Sequence, residues 1–124
     1  MAKFVLSEYY VGYTPKDIPE EVKKRLSERL KIDNKWGKKY PKSVVVKRGY
    51  RDPVLNKQVG GQKTSPHLTG EAVDYVDKDG LLALWFMNHI DLLKKLGLYM
   101  ENPQKTIGWV HLQIRPASQT VFNP

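Results

Sequence analysis

The chain has 124 residues, of which 40% are hydrophobic and 27% charged, and no cysteine; this matches one globular core and excludes a disulfide framework, a thiolate metal site and a disordered chain. No apolar run approaches the roughly 18 residues of a membrane span, and the opening MAKFVLSEYYVGY has neither the apolar region nor the cleavage site of an export signal. Lys and Arg number 21 against 13 Asp and Glu, a formal charge of +8, which favours a polyanionic partner such as nucleic acid, an anionic cell wall or a membrane surface.

In chain order, Ile18, Val22, Leu26 and Leu30 recur every four positions. Pro19 suits a first helical turn and Glu20 and Glu21 suit the positive end of the helix dipole, so residues 19–31 are predicted as an amphipathic helix. The basic, turn-rich stretch KIDNKWGKKYPK separates it from SVVVKRGY, whose β-branched run between Pro41 and Gly49 predicts a buried strand at about 43–48. Residues 49–71 hold Gly49, Pro53, Gly60, Gly61, Pro66 and Gly70 without periodicity, and a long irregular segment inside a compact domain is usually functional. AVDYV, residues 72–76, reads as the second strand. Asp79 suits the N-cap of a second helix at about 80–96, carrying Leu81, Leu82, Trp85, Ile90, Leu93 and Leu96 and closed by Gly97. LYME and GWVHLQI then read as a hairpin with a loop of about six residues. Two principal helices and a mainly antiparallel sheet make the expected fold class α+β, with residues 1–124 as a single domain.

Three residues stand out chemically. His67 lies in the irregular segment, Asp74 is mid-strand between Val73 and Tyr75, and His111 is mid-strand between Val110 and Leu112. An unpaired carboxylate among apolar neighbours costs several kcal/mol, roughly, which a cation offsets. Two imidazoles and a carboxylate suit zinc, and three protein ligands leave the fourth position open, as in catalytic sites. Gly70 and Ala72 alternate with the ligand side of the motif, small where backbone or metal must approach. His89, with no second ligand at a sensible spacing, reads as an ordinary core or surface histidine, and Trp109 as pocket wall.

The stretch RGYRDPVLNKQVGGQKTSPHLTGEAVDY, followed by GWVHLQ, resembles the zinc D-alanyl-D-alanine carboxypeptidase family, which includes D-Ala-D-Ala dipeptidases and phage L-alanyl-D-glutamate endolysins. The shared signature is a glycine-tyrosine-arginine turn at Gly49 to Arg51, S-x-H-x-x-G-x-A-x-D at Ser65 to Asp74, and W-x-H at Trp109 to His111. The resemblance implies a small α+β zinc-peptidase domain with His67, Asp74 and His111 as the Zn2+ ligands. It also implies that Arg51 binds the substrate carbonyl or oxyanion, that Ser65 contacts the peptide's carboxylate end, and that Tyr50 and Trp109 belong to the substrate-binding surface.

One position departs from the pattern. The better-known members carry a glutamate three residues before the second histidine as general base, and here that position is Gly108. In a symmetric hairpin with residues 102–107 as the loop, Glu101 stands opposite Gly108 and can reach the vacant space. Glu71 is the competing base, and a chain with neither is a non-catalyst.

The function expected from this reading is zinc-dependent hydrolysis of peptide bonds in peptidoglycan stem peptides, as a carboxypeptidase or endopeptidase of phage-related cell-wall lysis. Without an export signal such a protein is made in the cytoplasm and reaches the wall by phage-mediated release or as part of a virion. A monomer is expected, with no membrane insertion. The alternatives are a non-catalytic zinc-binding virion or wall-binding module, for which Gly108 argues, and a basic nucleic-acid binder. Against the last, the lysines are spread along the chain and not interleaved with aromatics in one element, so no stable nucleic-acid partner is expected.

Overall fold

The computed structural model describes all 124 residues. After a 3-10 turn at Leu6–Tyr10, the first long helix, α1, spans Glu20–Gly37. Strand β1 is Val46–Arg48, a short helix α2 is Pro53–Gln58, and β2 is Ala72–Val76. Helices α3 (Leu81–Met87) and α4 (Ile90–Leu96) precede β3 (Tyr99–Glu101), β4 (Trp109–Gln113) and β5 (Val121–Phe122). The five strands lie in the order β1-β2-β4-β3-β5, antiparallel except for β3 with β5. The fold is therefore α+β. No helix is long and apolar enough to cross a membrane.

Helix α1 runs six residues further than its apolar period predicts, and the supposed turn from Lys31 to Gly37 is helical. The reason is a buried polar cluster. Val22, Leu26, Arg29, Asp33 and Trp36 are buried along one stripe at alternating steps of four and three. Asp33 accepts hydrogen bonds from Tyr9 Oη (2.6 Å), Arg29 Nε (2.9 Å), Trp36 Nε1 (2.9 Å) and the Tyr75 hydroxyl. Burial pushes the Tyr9 and Tyr75 hydroxyls far above the ordinary phenol range, so both stay protonated donors. Arg29 Nη2 donates to the Leu112 carbonyl at 2.8 Å, which ties α1 to β4 as Tyr75 ties it to β2.

The predicted helix over 80–96 is two helices, broken at Asn88 and His89. The His89 Nδ1–H bonds back to the Trp85 carbonyl (2.6 Å) while its ring stacks on Trp85 at 4.2 Å, and its backbone N–H turns to Phe86. Asp77 does the principal capping, accepting from the Leu82 and Ala83 N–H groups, with Asp79 holding only Leu81 N–H. Gly97 ends α4 in the left-handed conformation, as expected. The irregular segment 49–71 contains α2, capped by Asp52 at Leu55 N–H (2.7 Å) and entered through Pro53.

Alternation divides the sheet into two faces. Val73, Tyr75, Val110, Leu112 and Met100 are fully or nearly fully buried toward the helices. Asp74, Glu101, Trp109, His111 and Gln113 lie on the other face. There they meet the segment that carries Arg51 and residues 60–67, and together these walls enclose a cleft of about 360 Å³.

Candidate metal centre and cleft

The register of β2 against β4 sets Asp74 opposite His111, so both side chains rise from the same face. His67 comes from a different element, a 3-10 turn at Pro66–Thr69 whose N-cap is Ser65. Gly70 ends that turn at φ +77°, and a Cβ there would come within 3.0 Å of Val22. Its smallness therefore serves the packing of α1, in addition to the left-handed turn, and not an approach to a metal.

The ligand atoms of His67, Asp74 and His111 all lie within 4.8 Å of one another, and all three residues are buried. His67 Nδ1–H donates to the Gly49 carbonyl at 2.8 Å, which turns Nε2 toward Asp74 Oδ2 at 3.1 Å. His111 Nδ1 faces Asp74 Oδ1 at 2.8 Å, and its Nε2–H donates to Gln113 Oε1 at 2.7 Å. Gly49 can present its carbonyl this way only because it lacks a side chain: a Cβ would fall 2.2 Å from the Tyr9 carbonyl oxygen. Burial opposes the charge on Asp74, but the two imidazoles outweigh it and hold its carboxyl well below the usual carboxylate range. Burial likewise opposes charge on His111, and the Asp74 hydrogen bond outweighs it and raises the imidazole pKa. A buried carboxylate between two imidazoles whose outer nitrogens are already engaged is a donor set that fits a divalent cation of the zinc type.

Around this cluster the cleft is lined by Arg51, Ser65, Glu101, Trp109, Gln113 and Phe122, among others. Arg51 Nη2 donates to Ser65 Oγ (2.9 Å), the one protein acceptor of its guanidinium, and its backbone N–H donates to the His67 carbonyl (3.1 Å). Burial lowers the Arg51 pKa and the charge of Asp74 pulls it back up.

Glu101 is in the cleft by a register other than the one expected. Tyr99 pairs with Gln113 and Met100 with Leu112, so the next step sets Glu101 opposite His111 and not opposite Gly108. Gly108 belongs instead to the end of the β2–β4 ladder, its carbonyl accepting from Asp77 N–H. Burial raises the Glu101 carboxyl above its ordinary value, partly offset by His111. Glu71, the competing base, is absent from the cleft wall: it accepts from Arg115 (2.8 Å) and Thr69, which lower its pKa.

Two further results correct the sequence reading. Tyr50, expected on the substrate surface, is 5% exposed and packs in the core against Tyr13 at 5.0 Å. Gln113 belongs to none of the signature motifs of the sequence, although the strand period carries it two steps from His111 on the same face. Trp109 is half-buried in the cleft wall beneath Lys47, whose Nζ lies 5.1 Å from the ring centroid.

The family model described as Peptidase M15 matches residues 10–113, a span that takes in every one of these cleft residues except Phe122. No curated protein matches the chain significantly.

Proposed function

The chain belongs to the peptidase M15 family, and from that premise we propose that it is a zinc-dependent peptidase cutting peptide bonds in peptidoglycan stem peptides, in the setting of phage-related cell-wall lysis. The observation that carries the reading is the buried His67, Asp74 and His111 cluster on the floor of a cleft that also holds Arg51 and Glu101. Zinc, held by those three residues, would supply Lewis-acid activation of water and of the scissile carbonyl.

The remaining chemistry falls to the chain. Glu101, on the face of β3 shared with His111, takes a proton from the attacking water and delivers it to the leaving amine as the C–N bond breaks. Its desolvation raises the carboxylate's basicity in the direction a general base needs. Arg51, fixed by Ser65, offers its free guanidinium donors to the oxygen on which negative charge develops. Ser65 meets the carboxylate end of the peptide, and Trp109 gives the stem peptide an apolar wall. A net charge of +8 suits approach to an anionic wall.

Digestion of purified peptidoglycan by zinc-loaded protein, followed by mass spectrometry of the released fragments, tests this. One new peptide-bond cleavage, abolished by chelation and restored by zinc, is expected, and its mass identifies the bond. Zinc bound stoichiometrically with no cleavage in any stem peptide or cross-bridge would overturn hydrolysis in favour of a binding module.

A further inference from the structure

We propose that Gln113 is a positioning residue that sets the hydrogen placement of His111 and thereby the metal affinity of the cluster, an inference that rests on the metal-centre reading above. Its amide cannot be turned over at will. Gln113 Nε2 donates to the Arg115 carbonyl at 2.8 Å, and only the nitrogen end of an amide can do so. Oε1 is therefore the end that faces His111, where it lies 2.7 Å from Nε2. An oxygen acceptor at that position requires a hydrogen on Nε2, so Nδ1, which meets Asp74 Oδ1 at 2.8 Å, is the nitrogen left to face a cation in the cluster.

The two histidines are thus matched in opposite senses. The Gly49 carbonyl takes the Nδ1 hydrogen of His67 and frees Nε2, and Gln113 takes the Nε2 hydrogen of His111 and frees Nδ1. Strand geometry makes this possible, because residues two apart on β4 share a face and Ala72, opposite Gln113, is small. At 7% exposure the Gln113 amide is sheltered from competing water. The arrangement continues through Arg115, whose guanidinium reaches the Thr64 carbonyl, Thr69 and Glu71, so the chain that fixes His111 is anchored on the segment carrying His67. Outer partners of metal-bound histidines typically contribute about 10- to 100-fold in metal affinity.

The test is zinc affinity by competition with a chromophoric chelator for the wild type, Gln113→Met and Gln113→Glu, alongside long-range proton–nitrogen spectra of the zinc-loaded wild type. Gln113→Met keeps the length and removes the acceptor; about 10- to 100-fold weaker zinc binding is expected. Gln113→Glu keeps the acceptor and should recover most of that loss. The spectra should show the His111 hydrogen on Nε2. Met binding zinc as tightly as the wild type, or a hydrogen on Nδ1, overturns the proposal, and if the Met variant does not fold Gln113→Glu decides it: zinc affinity near the wild type supports the acceptor role, and a loss of about 10- to 100-fold overturns it. A wild type that takes up no zinc overturns the metal-centre reading itself, which tells the two failures apart.

Discussion

Replacing Glu101 by glutamine separates a catalytic role from a structural one. Its position opposite His111 sets the two Cβ atoms about 4.5–5.5 Å apart on one face of the sheet. Glutamine fills the same space, accepts no proton, and leaves His67, Asp74 and His111, the candidate ligands, untouched. Loss of a general base lowers kcat by about 10²- to 10⁴-fold, equivalent to about 3–5 kcal/mol of transition-state stabilisation. Stability should move the other way. Burial raises the folded-state pKa of Glu101, so the native state holds its proton to higher pH than the unfolded chain does. That contribution is fully present below the unfolded value and is lost as pH rises through the folded one. At neutral pH the metal-free glutamine variant, which never ionises, should therefore melt slightly above the wild type. The assay is kcat on a purified stem peptide with zinc content in parallel, plus thermal melting of the metal-free proteins. Activity within a few-fold of wild type at equal zinc occupancy, or zinc lost with activity, would refute the assignment of Glu101 as base.

Three other perturbations follow from the same geometry. Arg51→Met should lower kcat/KM by about 10²- to 10³-fold on the same peptide assay, with zinc content unchanged. Asp33→Leu removes the acceptor of four buried donors and strands the fully buried Arg29; breaking such a pair costs about 3–5 kcal/mol, visible as a lower urea midpoint at constant slope. Glu71→Gln tests the Arg115 contact by melting across pH: hydrogen bonding from Arg115 depresses the folded pKa of Glu71, so its stabilisation is present above the ordinary carboxylate range and fades as pH falls through the depressed value. The wild type should thus exceed the variant at pH 7, by about 1 kcal/mol or less for a partly exposed pair, and the gap should close in acid.

The convergence of His67, Asp74 and His111 is legible because they sit in short motifs with fixed spacing, and because β2 and β4, each recognisable as a strand, are neighbours with Asp74 opposite His111. Glu101 was reached through a mistaken register. A symmetric hairpin aligns it with Gly108, whereas the pairing of Met100 with Leu112 moves it by three positions to His111, an odd shift that turns its side chain to the face His111 occupies. What stayed hidden depended on distant partners. Asp33 and Trp36 look like turn residues until Tyr9, Arg29 and Tyr75 converge on them. Tyr50 belongs to the signature turn, but its ring goes to Tyr13, a residue 37 positions earlier (50 − 13), and not to the cleft. The two-residue strand β5 is too short to carry a period.

The account stands on the metal centre, and the zinc content of purified protein reads it most directly. Wild type and His67→Ala, dialysed against metal-free buffer and measured by elemental mass spectrometry, should show close to one zinc per chain and close to none. A wild type that neither retains zinc nor takes it up on titration, or a His67→Ala variant that holds as much, would contradict it.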